Sequence, residues 1–129
     1  MTEPDFRQTI TTPVAAGTSS SLQLQLTGQH DEELADADLD TVTLTLLDRK
    51  TRTVINGRDE EDVYNANGGA VDSSALLMVD LLPEDNSMLG SGYREEHVAI
   101  LRWTWGGSPE NRGIKQIVFP VIRPVEPVA

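Results

Sequence analysis

The feature that most constrains this chain is a strict alternation of apolar and polar residues with a period of two. In SSLQLQLTG, Leu22, Leu24 and Leu26 project to one side, and Ser21, Gln23, Gln25 and Thr27 to the other. In DTVTLTLLD, Val42, Leu44 and Leu46 stand against Thr41, Thr43 and Thr45. A helix cannot segregate such a pattern, whereas a pleated strand does so automatically. Both segments therefore read as strands with one face buried and one face wet. A third alternating run, EEHVAILRWTWGG, places Ala99, Leu101, Trp103 and Trp105 on one face and Val98, Ile100, Arg102 and Thr104 on the other.

The segments between these runs complete an all-β reading. RTVING is a short β-branched segment that stops at Asn56-Gly57, and Asp48-Arg49-Lys50-Thr51 before it is a polar connection of hairpin length. RTVING should therefore pair antiparallel with DTVTLTLLD. Arg58 to Val63 suits a helical turn, because Asp59, Glu60 and Glu61 favour a helix N-terminus. Asn65 to Gly69 reads as a tight turn. ALLMVDLL is nearly continuous apolar, is closed by Pro83 and is too short for an ordinary helix, which predicts a buried strand. One helical turn fits Glu84 to Met88. IKQIVFPVI is the last strand, and Pro120, which has no N–H to donate, places it on an edge or breaks it.

Six or seven strands separated by turns, with no ten-residue helix, predict a β-sandwich or barrel. The 129 residues suffice for one domain with its own core. The expected division is an N-terminal arm over 1–20, a sandwich domain over 21–123 and a Pro-containing tail over 124–129. Leu24, Leu44, Leu46, Val79, Leu101, Trp103 and Val118 are the expected core between two sheets. The first twenty residues lack the basic start and apolar stretch of a signal peptide, and no apolar run is long enough to span a membrane.

Charge and composition narrow the chemistry. With 21 acidic against 10 basic residues, the net charge of −11 disfavours non-specific contact with nucleic acid or an anionic membrane. With no Cys, thiolate metal sites and cysteine nucleophiles do not arise. His30 and His97 sit in no catalytic or metal-ligand spacing, and His97, next to Glu95 and Glu96, reads as a strand-rim residue. Ser91 in GSGYR lacks the strand-turn-helix setting of a nucleophile elbow. Asp36, Asp38 and Asp40 mimic the first acids of a calcium loop, but Thr41 and Leu47 occupy the places of its Gly and Glu. Asp80, Glu84, Asp85 and Asn86 offer oxygens without diagnostic spacing, and a turn or cap role suits Asp85 or Asn86 better. Neither Gly68-Gly69 nor Gly106-Gly107 leads into the Lys or helix that a phosphate loop needs. No catalytic residue, metal ligand or cofactor is expected.

The order of segments carries a resemblance. TLTLLD, then TVING, the NANGG turn, the apolar strand closing on PEDN, the HVAILRWTW strand and KQIVFPVI together resemble the immunoglobulin-like structural proteins of tailed bacteriophages. They are also similar in outline to the small N-terminal sandwich of some upper-baseplate proteins. The resemblance covers roughly Asp40 to Ile122, about two thirds of the chain. It implies an immunoglobulin-like antiparallel sandwich of about seven strands, to which the residues outside the match add extended N- and C-terminal arms; the N-terminal arm has no counterpart in the resemblance. It further implies a non-enzymatic protein of the virion, assembled in the host cytoplasm, that bridges or decorates neck, tail or baseplate components. Its partners would be other virion proteins, in several symmetric copies, with no nucleic acid or membrane among them.

The residues that suit partner contact are Phe6, Ile10 and Val14 on the N-terminal arm, together with Tyr93, Trp105 and Arg123. The arm is too poor in apolar groups to build a core but could fill pockets on a neighbour. A different function class remains open, a carbohydrate- or cell-surface-binding module in which Trp105 and Tyr93 stack on sugar. Trp103 fits the core, whereas Trp105, beside Gly106-Gly107, fits either the core edge or an exposed contact.

Overall fold

A computed structural model describes residues 7–28, 34–90, 92–108 and 110–123. It contains nine strands among these residues: β1 (Arg7–Thr9), β2 (Val14–Ala15), β3 (Ser20–Gln25), β4 (Leu39–Asp48), β5 (Glu61–Asp62), β6 (Gly69–Val71), β7 (Leu76–Leu81), β8 (Arg94–Trp105) and β9 (Arg112–Ile122). Single 3-10 turns cover Asp36–Asp38 and Pro83–Asn86. The strands form two packed sheets. One runs β1-β9-β8-β4-β5 with β2 also on β9, and the other runs β3-β7-β6. In the lettering of the immunoglobulin fold these are A′-G-F-C-C′ and B-E-D, with the first strand parallel to the last. The all-β sandwich expected from the alternation is the fold.

Alternation determines the core. β3 and β7 supply Leu22, Leu24, Leu77, Val79 and Leu81 from one sheet, and Leu26, just past β3, joins them. β4, β8 and β9 answer with Val42, Leu44, Leu46, Ala99, Leu101, Trp103, Ile117, Phe119 and Val121. With no Cys to form the disulfide that commonly pins such sandwiches, apolar burial supplies most of the contact between the layers. Trp103 donates its indole N–H to the Thr27 carbonyl at 2.9 Å, and its ring lies against Gly113, its cross-strand partner, where any side chain would collide with it.

Several expectations need correction. Residues 7–16 are not a free arm. β1 and β2 pair in parallel with β9, and Ile10 and Val14 pack against the core of their own chain. Pro120 neither ends β9 nor leaves it on an edge, because β9 lies between β8 and the N-terminal strands. The N–H of Ile10 donates to the Val118 carbonyl, and that of Ala16 to the Ile122 carbonyl. Pro120 lies between these acceptors on the same side of the strand, opposite the gap between β1 and β2, where no partner requires its missing donor.

Arg58 to Val63 is not a helical turn. Glu60 adopts φ of +51°, which no right-handed turn contains, and its N–H is taken by the Thr45 hydroxyl at 2.9 Å. β5 follows and pairs with β4, while RTVING contributes one bridge, Val54 to Leu47, rather than a strand. ALLMVDLL is a strand but not one buried on both faces, since Met78 is 45% exposed between buried Leu77 and Val79. Val118 is buried on the opposite side of its sheet from the core, in a small cluster with Val98 and Ile100. His97, expected on the rim, is fully buried. It shares the parity of Ala99 and Leu101, so the pleat turns it inward.

Candidate interaction surfaces

Three places in the fold concentrate polar chemistry, and two of them reach the surface. The interior one is built on Arg58, which the loop after RTVING carries into the molecule. Its Nε and Nη2 donate to the two oxygens of Asp85 at 2.7 and 2.8 Å, and Nη1 donates to Glu61 and to the Asn67 carbonyl. Asp85 is completely buried and also accepts from Asn56 and from the Leu82 N–H, so it is the turn residue its position suggested and an ion-pair partner as well. Burial pushes the Asp85 carboxyl up, but the bonds from Arg58, Asn56 and Leu82 outweigh it and hold the group below the ordinary carboxylate range. Beside it Asn86 donates to Thr18 and Ser20, fastening the start of β3.

The second place is one end of the sandwich, where β4 finishes, β8 begins and β9 finishes. The hairpin turn after β4 is held by Asp48, whose carboxylate accepts the Thr51 hydroxyl at 2.8 Å. Between this turn and Leu89–Glu96 lies an open cleft of about 1000 Å³. Arg49, Lys50 and Arg94 line it together with Asp48, Glu95 and Glu96, and Arg49 is bound to Glu96 at 2.8 Å. Behind the rim Glu95 meets buried His97, with 3.0 Å between Oε1 and Nε2, and accepts the N–H groups of Leu89 and Gly90. Burial raises the Glu95 carboxyl, yet the His97 bond and the two amides bring it below its ordinary value. His97 packs edge-on against Phe119, and its Nδ1 is buried without a hydrogen-bond partner.

The third place is the outer face of the three-stranded sheet. Ser21, Gln23 and Gln25 of β3, Leu76 and Met78 of β7 and Ala70 of β6 form it, and its charges among the described residues, Asp80 and Asp72, stand towards its two ends. β3 is also an edge of this sheet. Sheet edges are ordinarily blunted by charge, Pro or brevity. β5 is two residues long and acidic, and the N-terminal strands are interrupted at Pro13. β3 offers six uncharged residues with no such protection.

The sequence-predicted contact residues fall in different places. Tyr93 and Arg123 come together at the cleft end, where the Arg123 N–H donates to the Tyr93 carbonyl at 2.7 Å, and Tyr93 is 67% exposed. Trp105 lies at the other end of β8, half-buried against the core. Twelve residues at ~3.3 Å each place Tyr93 and Trp105 about 40 Å apart, too far to stack on one sugar. Ile10 and Val14 serve the core rather than a neighbour, and Phe6 lies outside the described residues, as do His30 and Ser91. The acids of the calcium-loop mimic have structural partners: Asp36 accepts Tyr64, and Asp40 accepts the Gly107 N–H. Sequence reasoning missed the cleft, although the RKTR run at 49–52 signalled part of it. Arg94 is brought alongside only by strand register. No family model, curated protein or solved structure matches the chain.

Proposed function

We propose that this chain is a non-enzymatic structural protein of a tailed-phage particle, bridging or decorating neck or tail components through protein–protein contacts. The observation that carries the reading is the outer face of the three-stranded sheet. In a chain of net charge −11, the centre of that face, Gln23, Met78 and Ala70, is uncharged, with Asp80 and Asp72 towards its ends, and it adjoins the unprotected edge of β3. Loss of charge at the centre of a surface is the compositional mark of a protein contact. An open edge can also accept a strand from a partner through main-chain hydrogen bonds. The assignment to a phage particle draws on the order of segments from Asp40 to Ile122 and on the immunoglobulin-like topology. Weak contacts of this kind add up on a symmetric particle, where neighbouring copies present one another at high effective concentration.

The particle is the test. The chain should be found by mass spectrometry in purified tailed virions of the phage whose genome encodes it. Met78→Arg and Gln23→Arg, which place charge on the flat face, should fold normally and lose incorporation. Virions that are infectious and contain no copy of the chain would overturn the reading.

A further inference from the structure

We infer that copies of this chain stack end to end, with the acidic end of one copy seated against Lys50 and Arg94 on the cleft rim of the next. The inference deepens the proposed function. It rests on the chain acting by protein contact and is independent of which particle holds it.

The strand register sorts the charges along the sandwich. Arg94 pairs with Ile122 and Asp48 with His97, so Arg49, Lys50, Arg52, Arg94 and Arg123 gather at one end. These are five of the ten basic residues in the chain. Acids share this end: Asp48 is buried and bound to Thr51, Glu95 bonds His97 and two amides, Glu96 is paired with Arg49, and Asp59 and Glu84 are exposed in the adjoining loops, so the positive charge is local to Lys50 and Arg94. Lys50 and Arg94 are exposed and form no ion pair among the described residues. Leu89 and Tyr93, 47% and 67% exposed, stand beside them. Arginine next to an exposed aromatic and an aliphatic group is the composition of an interface hot spot.

The far end has the opposite sign. The Asp38 carbonyl and the Asp40 carboxylate accept the N–H groups of Gly106 and Gly107, which brings Asp36, Asp38 and Asp40 beside the turn that carries Glu110. The Asp36 N–H donates to the Ser73 carbonyl and so adds Asp72. Arg112, cross-strand from Thr104, is a basic residue at this end. The length of β8 separates the two ends by about 40 Å, so they cannot meet within one chain.

Both halves of a complementary contact are thus present on every copy, and a second copy supplies the match without another partner. A polyanion fits less well, because the net charge of −11 repels it and Glu96 interrupts the basic rim. Repulsion between whole copies is largely screened beyond about 8 Å at physiological salt, which favours a contact confined to the ends. Head-to-tail contacts of this kind close into rings or run on as filaments.

Sedimentation of the full chain provides the test. Three proteins are compared: the natural chain, a basic-end reversal (Lys50→Glu with Arg94→Glu) and an acidic-end reversal (Asp38→Lys with Glu110→Lys). The natural chain should associate as concentration rises, and each reversal alone should associate at least about tenfold more weakly. Mixing the two reversals should restore association, because every end again finds an opposite one. Unchanged Tm in both variants separates lost contact from lost fold. A natural chain that stays monomeric into the millimolar range overturns the inference, as does a mixture that fails to associate. Retention on heparin that is lost in the basic-end reversal, without recovery in the mixture, would identify a polyanion partner instead. None of these failures touches the test on particles with Met78→Arg, so the two readings fall separately.

Discussion

Two pairs of opposite character enter the interior of this sandwich, Arg58 with Asp85 and His97 with Glu95, and they are built differently. Around Asp85 both carboxylate oxygens are taken by the guanidinium, Asn56 and Leu82 add donors, and Arg58 spends its remaining capacity on Glu61 and Asn67. Around His97 one ring nitrogen finds Glu95 and the other finds nothing. A buried ion pair holds a fold together only when its whole donor and acceptor inventory is met, since desolvation otherwise cancels the attraction. The first pair is therefore a clamp between the loop after β4 and the turn after β7. The second is a seam beneath the cleft, satisfied on one side.

The largest expected effect breaks the clamp. Asp85→Ala should lower stability in urea by about 3–5 kcal/mol, because it strands a buried guanidinium. The double change Arg58→Met with Asp85→Leu should recover most of that loss, as paired apolar replacement removes both charges together. A loss below about 1 kcal/mol for Asp85→Ala would show that Arg58 escapes to solvent and that the clamp is decorative.

Acid should act on both sites with the same sign and unequal size. The Asp85 and Glu95 carboxyls are held below their ordinary values, so their contribution is present above the unfolded-state pKa and is lost as pH falls through the lowered one. Glu95→Gln should cost about 1 kcal/mol near neutrality and flatten part of the acid limb of the stability curve. Asp85→Asn should flatten more of it. Equal flattening by the two variants would erase the distinction between clamp and seam.

Tyr64 offers an alkaline counterpart. Its hydroxyl donates to Asp36 at 2.6 Å, and that bond, helped by burial and by the charges of Asp36 and Asp40, raises its pKa to about 12. A raised pKa means the contribution is complete below about 10 and disappears as pH climbs through about 12. For a half-exposed group, Tyr64→Phe should cost only about 0.5–1 kcal/mol, with the difference from the natural chain vanishing at high pH. The smallest effect is expected at the seam. His97→Leu removes a buried nitrogen that has no partner but also the bond from Nε2 to Glu95, and because these two effects oppose one another, stability should move by less than about 1 kcal/mol. A loss comparable to that of Asp85→Ala would mean that Nδ1 has a partner after all, an ordered water being the simplest.

How much of this was legible beforehand depends on how far each cause reaches along the chain. The faces of β3, β4 and β8 follow from alternation, which is local, and Leu22, Leu24, Val42, Leu44, Ala99 and Leu101 are buried where the period places them. His97 obeys the same parity and was legible too, but the neighbouring glutamates argued for the rim and prevailed wrongly. Val118 is the converse case, buried as expected but on the face that parity assigns to it, away from the core. The N-terminal segment misled because its three sizeable apolar groups cannot make a core alone. They need only complete one, and β9 provides the edge they pair with.

By itself, then, the sequence determined that the chain is β-rich, which faces of its strands are wet, and where the turns at Asn56-Gly57 and Asn65 to Gly69 interrupt them. These are consequences of side-chain period and backbone preference, both set within a few residues. The tertiary structure alone decided that Pro120 sits opposite a gap, that Arg58 meets Asp85 across 27 positions, and that Arg49 and Arg94 share one cleft. Each depends on strand order and register, which are chosen by the burial of whole faces against one another and leave no mark on any short stretch of sequence.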